Sequence, residues 1–173
     1  ADSPSKGPHA FSAFTASVLQ LRPESTGTLS LRSASMHDDP VIRPNYLATQ
    51  TDCDTIVRGI QIARSLCDYE PIKSLVTEEH APGKNIGRDD TDGILNWARD
   101  TATTIYHPTG TCKMGQDKMA VVDERLRVHG IQGLRVADAS IMPVITSGNT
   151  NAPAIMIGEK CSDLVLEDAR AIA

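Results

Sequence analysis

Aromatic residues are scarce in this 173-residue chain, at 3%, with one Trp, three Tyr and two Phe. Its core must therefore be built from Ile, Leu, Val, Met and Ala. No two of the 12 glycines are separated by a single residue, which excludes the Gly-x-Gly-x-x-Gly turn of a dinucleotide site. A P-loop and a Gly-x-Ser-x-Gly elbow are also missing. The four cysteines, Cys53, Cys67, Cys112 and Cys161, form no Cys-x-x-Cys pair. Their spacing suits neither zinc nor a small disulfide scaffold, and they read as reduced, mostly buried thiols of a cytoplasmic protein. No two histidines lie close in sequence, so no metal site is expected. The formal charge is −5 and Lys and Arg form no run, which argues against nucleic-acid binding. No apolar stretch approaches the about 20 residues of a membrane-spanning helix. Residues Ala1 to Pro8 lack the apolar middle of a signal peptide and an initiator Met, and read as the start of a piece cut from something longer.

What is present is ordinary globular usage, 40% hydrophobic and 23% charged, in a chain long enough for one domain or two small lobes. Two strands are expected, over Thr15–Leu21 and Thr28–Leu31, the second from its polar–apolar alternation. Residues 38–45 carry two prolines and read as a loop. Apolar residues recur at spacings of 3 and 4 from Thr51 to Cys67, which predicts a helix capped by Thr51 or Asp52. A surface loop over Glu78–Arg88 and a second helix from about Asp89 to Thr101 follow. Two or three short strands are expected within 121–137. A final helix, about Ala152 to Asp168, is apolar on most sides, so its first half is expected to be buried. The fold class is α+β, an antiparallel or mixed sheet flanked by helices. Residues 1–100 form a sheet-and-helix segment, and residues 101–173 form a loop-rich segment that carries the chemistry.

That chemistry is signalled by two runs. The first is Tyr106-His107-Pro108-Thr109-Gly110-Thr111-Cys112-Lys113-Met114-Gly115. A lone histidine is commonly a surface or core residue, but here Pro108 and Gly110 bend the chain in a way that could aim the ring into a cavity. An imidazole is the side chain best suited to take a proton near neutral pH. The remaining histidines, His9, His37, His80 and His129, sit in charged or turn-like contexts and read as solvated. The second run is Ser147-Gly148-Asn149-Thr150-Asn151-Ala152-Pro153. Thr150 or Asn151 could simply cap the final helix, with Pro153 in its first turn, but that leaves Asn149 unused. The amides of such a helix start also stabilise negative charge, as on the edge of a reduced flavin. Asp138, at the end of an apolar strand, could bond hydroxyls of a nucleotide or ribityl chain, or only cap a turn.

Three long segments, YHPTGTCKMG, VVDERLRVHGIQGLRVADASIMP and SGNTNAPAIMIGEK, resemble the C-terminal part of the glucose–methanol–choline (GMC) oxidoreductases, FAD enzymes that oxidise alcohols. LRPESTGTLSL, DPVIRPNYL and the helix from Thr51 resemble the substrate-side segment of the same family. The resemblance covers about Thr15 to Asp168 and is closest to its choline-dehydrogenase-like alcohol dehydrogenases. It implies His107 as the catalytic base and Asn149 as the second active-site residue, donating to the oxygen of a small primary alcohol, whose hydride passes to the flavin. It implies FAD contacts at Tyr106, Asp138, Ala139, Thr150, Asn151, Ala152 and Pro153. Family members carry their Gly-rich ADP-binding fingerprint near the N-terminus, so an N-terminal FAD-binding part of the same enzyme is the expected partner, and the isolated chain is expected to be inactive. The alcohol and the electron acceptor stay unassigned, and membrane association stays open beside a cytoplasmic location. A hydroxynitrile lyase on the same scaffold and a non-catalytic assembly module are the alternatives.

Overall fold

A computed structural model describes residues 7 and 9–172 of the chain. Its elements are strands β1 (Thr28–Ser30) and β2 (Val41–Arg43) and helices α1 (Gln50–Leu66), α2 (Ile72–Leu75), α3 (Thr91–Thr101) and α4 (Asn151–Ile172). A 3-10 turn covers Ala139–Ile141. Helices and a small antiparallel sheet make the chain α+β. It divides into two compact units, one of residues 1–19 and 54–98, the other of residues 20–53 and 99–173.

In the first unit, Val57 of α1 is buried. The segment 15–19 is not the expected strand. Val18 lies so close over α1 that a β-carbon on Gly59 would fall 2.2 Å from its Cγ1. Glycine at 59 lets an extended segment pack on a helix, and that packing replaces sheet pairing. Arg64 is buried on the same helix and forms a bidentate pair with Glu79 (2.7 and 2.9 Å). It also donates to the carbonyls of Ile86 (3.1 Å) and Gly87 (3.3 Å). The irregular loop predicted over 78–88 is thus pinned by one guanidinium. Asp90 precedes α3, where its Oδ1 accepts the Gly93 N–H at 2.9 Å, an N-cap. Ile94 and Ala98, four residues apart, are the buried positions of α3. His9 stacks on Phe11 at 4.8 Å, with His80 edge-on to both, so neither histidine is simply solvated.

In the second unit, β1 pairs antiparallel with β2, Leu29 opposite Ile42. The partner strand is thus the stretch expected to be a loop. Pro40 and Pro44 bracket Val41-Ile42-Arg43 and hold it extended, which suits a short edge strand. A β-carbon on Gly27 would lie 2.1 Å from the Arg43 carbonyl oxygen, so the two chains can approach only at a glycine. Thr49, rather than Thr51 or Asp52, caps α1. Its Oγ1 accepts the Asp52 N–H at 3.3 Å and its carbonyl accepts the Cys53 N–H at 3.2 Å.

The core of this unit is Val122, Leu126, Ile141, Met142, Ile157 and Leu164. The strands expected within 121–137 are reduced to single bridges, Val122 with Val128 and Arg127 with Arg135. Left-handed residues Leu126 (φ 64°), Gly130 (φ 76°) and Gly133 (φ 74°) reverse the chain every few residues, too often for a ladder. Asp123 organises the first reversal, its Oδ1 accepting the N–H groups of Arg125 and Arg127, both at 2.9 Å. α4 extends beyond the expected end at Asp168, and its first half is not buried. Among the described residues of α4, Ile157 and Leu164, two turns apart, are buried in the core and Cys161 packs half-buried against it, while Ile155 and Met156 are 61% and 59% exposed. The last turns of α4 are held by Arg125, which reaches Asp168 Oδ1 (2.6 Å) and Glu167 Oε2 (3.1 Å), and by Arg135 on Asp168. Burial would by itself raise the Asp168 pKa, but the two guanidiniums outweigh it and hold the carboxyl below its usual range.

Candidate active site

The path of the 106–115 loop follows from its dihedrals. Tyr106 has φ 65°, a left-handed conformation that costs a side-chain-bearing residue about 1–2 kcal/mol. Its N–H donates to Thr104 Oγ1 at 3.0 Å, and the residue is 68% exposed. Gly110 has φ 85°, and a β-carbon there would sit 3.3 Å from the Met142 carbonyl oxygen. Next, the N–H groups of Cys112 and Met114 donate to the carbonyls of Ser140 (3.0 Å) and Ile141 (2.7 Å). The loop is therefore laced to the 3-10 turn, and that turn shares its apolar core with α4.

This lacing carries the His107 ring to the start of α4, 43 residues further along the chain. Nδ1 of His107 lies 2.9 Å from Thr150 Oγ1 and accepts the Thr150 N–H at 3.3 Å. Thr150 occupies the N-cap position, since its carbonyl accepts the Ala154 N–H at 2.9 Å. Its hydroxyl turns toward the histidine. Thr150 is buried, His107 is half-buried, and Asn149 is exposed. Asn151 and Ala152 are exposed at the first turn of α4 and Pro153 is half-buried there. Asp138 is exposed, and its Oδ1 accepts the Ser140 N–H at 2.7 Å, which caps the 3-10 turn containing Ala139. Of the predicted residues, His107 and Thr150 are brought into direct contact, with Asn149 adjoining.

A second support of the Asn149 loop was not foreseen. Arg22 Nε donates to Ser147 Oγ at 2.6 Å. The segment that carries Arg22 is clamped by Asp52, which is only 2% exposed and accepts the N–H groups of Glu24 (2.9 Å) and Ser25 (2.8 Å). Burial would raise the Asp52 pKa. The hydrogen bonds from Glu24, Ser25 and Gln20 outweigh it and hold the carboxyl down to about 2.

An apolar cleft of about 250 Å3 opens beside the first turns of α4, lined by Met114, Leu126, Ile141, Met142, Pro153 and Met156 among others. Neither His107 nor Asn149 lines it. Thr146, at its edge, has the one buried side-chain polar atom without a hydrogen-bond partner among the described residues. Among the described residues no cluster of His, Cys, Asp or Glu could hold a metal, and no helix is long and apolar enough to cross a membrane. Cys53 is buried and the other three cysteines are half-buried, all four unbridged.

These residues can do acid–base chemistry next to an electropositive helix end. The first turn of α4 carries no acidic side chain, so nothing there offsets the positive end of the helix dipole. With the unpartnered Thr146 hydroxyl nearby in sequence, that end fits the anionic edge of a reduced flavin.

Comparison with known proteins gives the family. Residues 23–158 match the family model described as GMC oxidoreductase. The chain is 43% identical over 153 residues to an alcohol dehydrogenase [acceptor] of Pseudomonas putida, covering 88% of this chain and 27% of that protein. It is 44% identical over 155 residues to the mitochondrial choline dehydrogenase of Homo sapiens, covering 88% and 26%. In structure it is similar to a formate oxidase of Aspergillus oryzae RIB40 studied for FAD modification, with a TM-score of 0.80 and 31% identity over 88% of this chain and 27% of that one. The chain thus spans about a quarter of the length of the relatives it matches.

Proposed function

The chain belongs to the GMC oxidoreductase family, whose members are FAD enzymes, and on that premise we propose that it is the C-terminal part of an FAD-dependent alcohol dehydrogenase. The reaction is oxidation of a primary alcohol to an aldehyde. Residues 101–173 form the catalytic and FAD-contacting segment, and residues 1–100 the substrate-side segment. His107 takes the hydroxyl proton of the alcohol, and Asn149 donates a hydrogen bond to the same oxygen. The amides of Asn151 and Ala152, with Pro153, face the flavin ring. Asp138 and Ala139 lie along the ribityl chain, and Tyr106 lies at the cofactor's edge. FAD, when bound, supplies the two-electron acceptor.

The observation that carries this reading is the contact of His107 with the residue that opens α4. It joins a proton-accepting group of the loop to a helix end suited to a flavin. The exposed apolar side chains Ile155, Met156, Val165 and Leu166 of α4 support an N-terminal FAD-binding part as the partner that covers them. The four unbridged thiols support a cytoplasmic location. The test is anaerobic mixing of the full-length protein with primary alcohols. Bleaching of the flavin absorbance is expected. A bound flavin that stays oxidised while the alcohol derivative is cleaved would overturn the proposal in favour of a lyase.

A further inference from the structure

We propose that Arg22 is a positioning residue for Asn149: by holding Ser147, it fixes the direction in which the Asn149 carboxamide meets the alcohol oxygen. The proposal rests on Asn149 being the donor to that oxygen.

Asn149 does not place itself. It is exposed, and among the described residues its carboxamide makes no hydrogen bond. Its direction therefore follows from its backbone. Packing holds that backbone weakly, since no residue from Pro143 to Asn149 is buried, whereas Met142 before them and Thr150 after them are. Asn149 lies between two anchors. One is Thr150, whose N–H donates to His107 Nδ1 at 3.3 Å. The other is Ser147, whose Oγ accepts from Arg22 Nε at 2.6 Å. Among the described residues, this is the one hydrogen bond that ties 143–149 to a distant part of the chain. Ser147 sits at the centre of a tight turn, closed by the Gly148 N–H donating to the Thr146 carbonyl at 2.9 Å. Holding Ser147 thus holds the turn that delivers the chain to Asn149.

Arg22 is a firm anchor because its segment is fastened to a buried group. Asp52, 2% exposed, accepts the N–H groups of Glu24 and Ser25. Ser25 Oγ in turn accepts the N–H groups of Ala48 (2.9 Å) and Thr49 (3.2 Å), next to the start of α1. Gln20 Nε2 donates to the Arg22 carbonyl at 3.1 Å, and Pro23 biases Arg22 toward an extended backbone. The planar guanidinium aims its Nε–H more narrowly than a flexible ammonium can. Arg22 and Ser147 are both exposed, so breaking their bond costs the fold little. Its effect is on geometry, where a misplacement of about 1 Å can cost a reaction roughly 10²-fold.

The experiment measures flavin reduction by a primary alcohol in the full-length flavoenzyme, without oxygen. Arg22→Ala and Ser147→Ala are each expected to lower the limiting rate roughly 3- to 10-fold, the scale of one ordinary hydrogen bond, with alcohol affinity and flavin content unchanged. The double variant Arg22→Ala/Ser147→Ala should be no slower than either single one, because both break the same bond. Once Asn149→Leu has removed the carboxamide, adding Arg22→Ala should cost less than about 2-fold more. Wild-type rates in both single variants overturn the proposal. So does a full further loss from Arg22→Ala in the Asn149→Leu background, because Arg22 would then act on something other than Asn149. If Arg22→Ala fails to fold, Ser147→Ala carries the same comparison with Asn149→Leu. The two levels separate: a slow Asn149→Leu beside normal Arg22→Ala and Ser147→Ala removes only the role of Arg22, whereas a normal Asn149→Leu removes the reading of Asn149 beneath it.

Discussion

Asp52→Asn probes the clamp beneath the Asn149 loop. The wild-type carboxylate accepts the N–H groups of Glu24 and Ser25. An asparagine can accept one of them but presents an NH2 group to the other. One pKa unit corresponds to about 1.4 kcal/mol, so holding the carboxyl at about 2 instead of its ordinary 3.8 contributes about 2.5 kcal/mol. Because the folded pKa lies below the unfolded one, this contribution is complete above pH 3.8 and is lost as pH falls toward 2. Hydrogen exchange of the Glu24 and Ser25 amides, corrected for intrinsic rates, reads it directly. At pH 6 the wild type should protect these amides about 70-fold better than the variant, and at pH 3 only about 10-fold better. The same ratio at both pH values would refute the reasoning, because the protection would then owe nothing to the charge.

Three further outcomes are expected. Asn149→Leu in the full-length enzyme should lower kcat/KM by about 1–3 kcal/mol of transition-state stabilisation, as for one donor lost where the N-terminal part and the alcohol cover this exposed residue, read from steady-state kinetics. Gly110→Ala places a side chain at φ 85° and against the Met142 carbonyl. It should destabilise by about 1–2 kcal/mol in urea unfolding, with Ser147→Ala as a milder control. The isolated 173-residue chain should purify without flavin absorbance, since its matched part covers only 27% of a relative; a yellow chain with bound flavin would contradict this.

The helices were legible because their signals are local. α1 and α3 show apolar residues at helical spacing, and Asp90 caps α3 as an Asp before a helical run should. The errors arose where distant contacts decide. Thr15–Leu21 reads as a strand, but Val18 lies on Gly59 of α1. Val41-Ile42-Arg43 hides a strand between two prolines that usually mark a loop. The apolar pattern of α4 reads as burial, yet a helix can be apolar on a face that its own chain does not cover. The two site runs stood out by their residues, and their meeting at His107 and Thr150 was reachable from them. The direction of the Thr150 hydroxyl was not, because a threonine at an N-cap ordinarily turns its oxygen to the helix amides. The Arg22–Ser147 bond joins segments too far apart for any local pattern to reveal.

The most direct test of His107 as the proton acceptor beside a flavin is the rate of flavin reduction by alcohol in full-length His107→Ala, measured by stopped-flow absorbance without oxygen. The account predicts a rate roughly 10²–10⁴ times lower than wild type, the scale of a general base, with FAD still bound. A near-normal rate in a folded, flavin-loaded variant would contradict it.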